Sequence, residues 1–172
     1  VIICGLGVQG FQLVEKLLSE GYSVVIIEPD EKHADIEQCR KLGAVVLSEE
    51  KFSESLLQKA GLKTAGHLLI LFNEENHNYQ LTSMAHNLCN RLRKSPLSCT
   101  VQVQDRSLLE YLSQQDARKQ TDDLFDLEVF DSHEVLSREM LREAAWAALS
   151  ESPRKILVMA GTKSSALVKT FL

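Results

Sequence analysis

The chain lacks any apolar run near the roughly 18 residues that cross a bilayer, so nothing in it reads as a membrane span. It lacks a basic surplus, with 19 Lys and Arg against 24 Asp and Glu. A net charge of -5 with both signs interspersed argues against nucleic acid as a partner, which calls for a basic patch. Its four cysteines, Cys4, Cys39, Cys89 and Cys99, form no C-x-x-C pair, and a zinc site needs a tighter cluster with His. They read as small, buried or half-buried residues in a reducing cytoplasm. There is no initiating Met, and residue 1 already lies in a strand-like run. That leaves no signal peptide and reads as a piece excised from a longer protein.

A catalytic set is also missing. No Cys/His or Ser/His/Asp arrangement has motif support. His33, His67, His77, His86 and His133 are scattered, and the nine-residue step from His77 to His86 is not metal-ligand spacing on a helix. A dehydrogenase needs a substrate domain with its own acid or base. The residues left beyond the sheet, a loop and a long helix, supply none. The pattern points to binding without turnover.

What is present starts at the first residue. An apolar run, Val1-Ile2-Ile3-Cys4, ends in Gly5-Leu6-Gly7-Val8-Gln9-Gly10, and a helical pattern follows from Phe11. This is G-x-G-x-x-G between a strand and a helix, the context that gives the motif meaning. Gly5 permits the tight turn, Gly7 a close backbone approach to a pyrophosphate, and Gly10 close packing of helix on strand. The helix end then offers free N–H groups and positive dipole to an anion. Taken alone, the motif fits a plain glycine turn equally well.

The remaining chain alternates strands and helices. Residues 23–27, 44–47, 67–72 and 99–103 read as strands, with 127–130 a short sixth. Helices are expected over 31–42 (capped by Asp30), 52–60, 78–92 and 106–114, with Gly21, Gly43 and Gly61 as stops. Arg91, Arg93 and Lys94 fall at the end of the fourth helix, where cations suit the dipole. This order means βαβ units. The fold class is α/β, a Rossmann-like doubly wound parallel sheet forming a domain over 1–131. The polar stretch 115–126 reads as an exposed loop. Ser132 caps a long apolar-faced helix within 132–152 that covers either its own sheet or a second copy of the chain. Residues 153–172 repeat strand, glycine turn and helix, either as an extension or as the start of a second repeat.

Glu28 stands at the tip of the second strand, 18 residues after Gly10. An acid there accepts hydrogen bonds from ribose hydroxyls and repels a 2′-phosphate, favouring NAD(H) or an adenosine nucleotide over NADP. Glu49 and Glu50 end the third strand, and Asn73 and Glu74 the fourth. All four fall on the carboxyl edge of the sheet. There Glu50 and Asn73 either reach an adenine or ribose edge or are ordinary polar loop residues. The candidate binding set is therefore Gly5, Leu6, Gly7, Val8, Gln9, Gly10, Glu28, Glu50 and Asn73.

Over roughly residues 1–145 the chain resembles the RCK (TrkA-N type) domains, cytosolic regulators of potassium channels and of Trk and Kef potassium transport systems. The resemblance rests on the glycine loop with Glu28, on Arg40-Lys41-Leu42-Gly43, on Leu56-Leu57-Gln58-Lys59-Ala60-Gly61, and on Asn78-Tyr79-Gln80-Leu81-Thr82. It implies a Rossmann-like domain that forms a homodimer or larger ring, with the C-terminal helix as a dimerisation helix. It further implies that NAD(H), or an adenine nucleotide of the ATP, ADP or AMP type, gates a membrane potassium channel or transporter in the same full-length chain, from its cytoplasmic side. Three departures stand out. Glu49-Glu50-Lys51-Phe52 replaces Gly-Asp-Ala-Thr, Gln102 and Gln104 stand where Arg is frequent, and Glu28 replaces Asp. The alternatives are an NAD-dependent oxidoreductase fragment lacking its substrate domain, and an assembly domain with a vestigial pocket.

Overall fold

The computed structural model describes residues 1–104, 124–131 and 135. The helices expected over 106–114 and 132–149 and the strand-turn-helix of 153–172 lie outside them, apart from helical Val135. The chain divides into two compact units, Val1–Val129 and Phe130–Leu172. The first carries the fold.

Its elements run β1 (Ile2–Cys4), α1 (Val8–Ser19), β2 (Val25–Ile27), α2 (Ile36–Lys41), β3 (Val45–Leu47), α3 (Glu54–Lys59), β4 (His67–Ile70), α4 (Glu75–Leu92), β5 (Leu97–Gln102) and β6 (Phe125–Phe130). The strands order as β3-β2-β1-β4-β5-β6. The ladders β3–β2, β2–β1, β1–β4 and β4–β5 are all parallel. This is the Rossmann-like doubly wound sheet expected from the sequence. The order reverses between β1 and β4, which opens a crevice at their carboxyl ends.

Short Val/Ile/Leu runs make these strands because both faces are covered. Register places Ile2, Val25, Leu68 and Cys99 in one row and Cys4, Ile27, Ile70 and Val101 in the next. Both rows join the core under α3 and α4, with Leu56, Leu57, Leu81, Ala85 and Leu88. Ile3 and Ile26 alternate to the other face, and both are fully buried. Right-handed crossovers put α1 and α2 on that face and α3 and α4 opposite.

Several element ends differ from the sequence reading. The first helix begins at Val8 and the fourth at Glu75, each three residues early, because their first turns are polar or glycine-bearing and carry no apolar period. The second begins late. Asp30 caps a turn instead of a helix: its Oδ1 accepts from the Lys32 N–H at 3.0 Å. The third begins behind Ser53, whose hydroxyl accepts from the Leu56 N–H at 3.2 Å.

All four cysteines are buried thiols outside any disulfide. Burial pushes the Cys4 thiol far above its ordinary value. Cys39 is raised too, by burial first and then by the carboxylates of Asp35 and Glu15. A folded-state pKa above the unfolded one keeps the proton on the native thiol while the unfolded chain loses its own, so stability falls as pH rises. The loss starts near the ordinary thiol value of about 8.5 and approaches about 1.4 kcal/mol per pH unit for each such thiol. Urea midpoints measured at pH 8 and pH 10 are expected to fall less in Cys4→Ala than in the parent chain.

Candidate functional site

The carboxyl end of β1 turns at Gly5, whose φ of +97° suits glycine alone among common residues. Its N–H donates to the Ile27 carbonyl at 3.0 Å, fixing the turn to the tip of β2. A Cβ on Gly5 would lie 3.1 Å from the Phe72 ring and 3.2 Å from backbone at Leu71 and Phe72, so the turn also rests on the tip of β4. Gly10 faces back onto that turn. A Cβ there would stand 2.2 Å from the Gly5 carbonyl oxygen. The third glycine thus lets α1 begin directly on top of the first.

Gly7 differs from both. It is exposed, and a Cβ on it would meet nothing within 4 Å. It is the N-cap of α1, with no side chain capping the helix and no acid in the first turn. The other described helices each carry an acid in the first turn, Glu37 in α2, Glu54 in α3 and Glu75 in α4, and α3 alone has a side-chain cap, from Ser53. Glu75 in addition accepts from the Gln104 N–H. The unsatisfied N–H groups and positive dipole end of α1 are left to an anion from outside.

Glu28 is buried at the tip of β2. Its Oε2 accepts from the Leu6 N–H at 2.9 Å and its Oε1 from the Asp30 N–H at 3.1 Å. The acid and the glycine loop are therefore one hydrogen-bonded unit, 22 residues apart in sequence. Each carboxylate oxygen keeps a second acceptor position, which ribose hydroxyls can use. Beside it, Leu47 accepts from the Glu28 N–H at 3.1 Å. The next residue, Ser48, holds a buried hydroxyl with no hydrogen-bond partner. Open space at Gly7 and an uncapped helix end give the first turn of α1 room and polarity for an anion.

The structure joins Gly5, Leu6, Gly7, Gly10 and Glu28 in this way, with Val8 and Gln9 in the first turn of α1. Glu50 and Asn73 lie past the ends of β3 and β4, on the same edge and exposed, and neither bonds to another described residue. Glu49 is taken by Lys59 at 2.8 Å.

Asn78 is a site-building residue that no spacing rule singled out as such, although it lies in a segment already noted. Its Oδ1 accepts from the Phe72 N–H at 3.1 Å, and its Nδ2 donates to the carbonyls of Phe72 at 2.7 Å and Gln102 at 2.8 Å. It clamps the tips of β4 and β5 to α4. Asn78→Ala is expected to cost about 2–3 kcal/mol in denaturant unfolding, since three buried backbone groups lose partners. Above the clamp, Phe52, Phe72 and His77 form an aromatic trio with ring centres 5.0–5.6 Å apart. Through Phe72 the trio stands against the Gly5 turn.

Among the described residues no helix is long and apolar enough to cross a membrane, and no cluster of His, Cys, Asp or Glu could hold a metal ion. No curated protein matches the chain. A solved structure titled "putative oxidoreductase from Pseudomonas putida KT2440" is similar at 16% identity and a TM-score of 0.35, over 86% of this chain. The chain spans 60% of that structure's length. The model of the TrkA-N domain matches residues 1–121. With its glycine loop, its acid at the β2 tip and its doubly wound sheet, the chain belongs to the TrkA-N domain family.

Proposed function

We propose that the chain is a regulatory NAD(H)-binding domain that controls potassium transport. The pyrophosphate rests on the N-terminus of α1, and a ribose bonds to Glu28. The carrying observation is the contrast among helix starts: α1 has a glycine N-cap and no first-turn acid, while α2, α3 and α4 each carry one. NAD(H) is preferred to NADP because the Glu28 carboxylate repels a 2′-phosphate.

The partner is a membrane potassium channel or transporter carried in the same full-length chain, with this domain on its cytoplasmic side and paired or ringed with its copies. A ligand shifts such an assembly only by binding its states unequally. The test is potassium flux through the full-length protein in liposomes. NADH supplied on the cytoplasmic side should change the flux, and Gly7→Asp should erase that response. A flux indifferent to NADH, NAD, ATP, ADP and AMP alike sinks the regulatory reading.

A further inference from the structure

The crevice opens on the carboxyl edge of the sheet, and the loops along that edge are acidic. The loop between β2 and α2 holds Glu28, Asp30, Glu31 and Asp35 against Lys32. The loop between β3 and α3 holds Glu49 and Glu50 against Lys51, and Glu49 pairs with Lys59. The turn from β4 into α4 adds Glu74. No arginine stands in these loops, and Asp30, Glu31, Glu50 and Glu74 are all exposed. His33 and His77 each stand beside one of the acids, Asp35 and Glu74, and even charged would offset only those two. Past β4, the start of α4 offers phosphate no second seat. Its first turn carries Glu75, whose carboxylate accepts from the Gln104 N–H.

We infer that this acidic rim makes the site rank nucleotides by their charge, taking oxidised NAD first and rejecting ATP. The inference rests on the nucleotide reading of the glycine loop and adds the selectivity of that site. A pyrophosphate between two nucleosides needs a single helix start, which α1 supplies. In oxidised NAD the pyridinium cation cancels part of the pyrophosphate charge. Reduction to NADH removes that cation, and ADP and ATP add the charge of a terminal phosphate. Each further negative charge on the ligand meets a rim of the same sign, which weakens binding about threefold per charge at physiological salt. Repulsion of this kind acts through solvent and is screened, so it fades as salt rises. Hydrogen bonds at the helix start are short-range and are screened much less. The affinity for ATP therefore climbs with salt, the reverse of what a pocket lined by arginine and lysine gives.

Calorimetric titration of the chain with NAD, NADH, ADP and ATP, without divalent cations and at about 50 and about 300 mM sodium chloride, tests this. The expected order is NAD, NADH, ADP, ATP, with ATP at least about tenfold weaker than NAD at the lower salt. Raising the salt should tighten ATP severalfold and move NAD much less. Glu31→Lys combined with Glu74→Lys, two exposed positions, should close the gap between NAD and ATP to within about threefold. Melting temperatures recorded alongside show whether the double variant is folded, and the salt series on the parent chain carries the test if it is not. ATP binding the parent as tightly as NAD, an ATP affinity that falls with salt, or a gap unmoved in a folded double variant overturns the charge ranking while leaving nucleotide binding intact. Binding of none of the four at either salt overturns the nucleotide reading itself, and the ranking with it.

Discussion

Gly10→Ala is expected to abolish NADH binding and to destabilise the domain by about 3 kcal/mol or more, the upper end for overpacking a close-packed contact. The methyl would stand 2.2 Å from the Gly5 carbonyl oxygen. That atom is backbone, and the turn carrying it is held from two sides, by the Ile27 carbonyl through the Gly5 N–H and by Phe72. Neither element can give way by the ångström needed, so α1 must lift off the sheet. Lifting α1 takes its N-terminus away from the crevice, and binding is lost with stability. Thermal unfolding and NADH titration of the variant check both halves. A variant with native melting temperature and native affinity contradicts the geometry.

Arg93→Ala is expected to cost about 4 kcal/mol, with no direct effect on the crevice, because buried hydrogen bonds to a charged group are worth about 1.5–3 kcal/mol each. Arg93 is buried at the C-cap of α4. Its Nε donates to the Ser95 carbonyl at 3.0 Å, one Nη to the Pro96 carbonyl at 2.8 Å, and the other Nη to the Leu62 carbonyl. It meets no carboxylate among the described residues. The guanidinium fork thus ties the loop entering β4 to the turn entering β5. Alanine leaves these carbonyls facing a void. Lysine restores the charge but cannot span three acceptors with a planar fork, so Arg93→Lys should recover about half the loss. Urea unfolding of the two variants decides it, and equal stability in all three chains would contradict the role.

Arg93 also shows where reading the sequence stops. The spacing placed it with Arg91 and Lys94 as a cation at a helix end, and Arg91 does behave so, pairing with Glu54 across from α3. Arg93 instead turns inward to a carbonyl 31 residues away. Asn78 reaches 24 residues to Gln102, and the hydroxyl of Ser48 is buried beside Glu28 without any local pattern to announce it. Partners this distant leave no period in the chain.

The glycine loop and Glu28 were legible because their pattern is short and tied to chain direction: a strand, three spaced glycines, a helix, and an acid at the next strand's end. The parallel sheet was legible from continuous Val/Ile runs between amphipathic helices. What the sequence missed about Glu28 is its second role. Its place at a strand tip points only to a ribose acceptor, and the folded carboxylate also holds the Leu6 N–H, so it shapes the glycine loop. Glu50 and Asn73 were placed by strand ends alone. The structure sets them on that edge, exposed and without a hydrogen bond to another described residue.

In the proposed function the start of α1 receives a nucleotide phosphate. Gly7→Asp tests it most directly. Position 7 has open space and a φ of −43° that an L-residue accepts. Aspartate there caps the helix with its own carboxylate, stabilising it by about 0.5–1 kcal/mol, and occupies the place of the phosphate. Calorimetric titration of NADH into the parent chain and into Gly7→Asp, with melting temperatures recorded alongside, gives the answer. The expected result is binding by the parent, an equal or higher melting temperature in the variant, and affinity lowered at least about 100-fold. A well-folded Gly7→Asp that binds NADH as the parent does would contradict it.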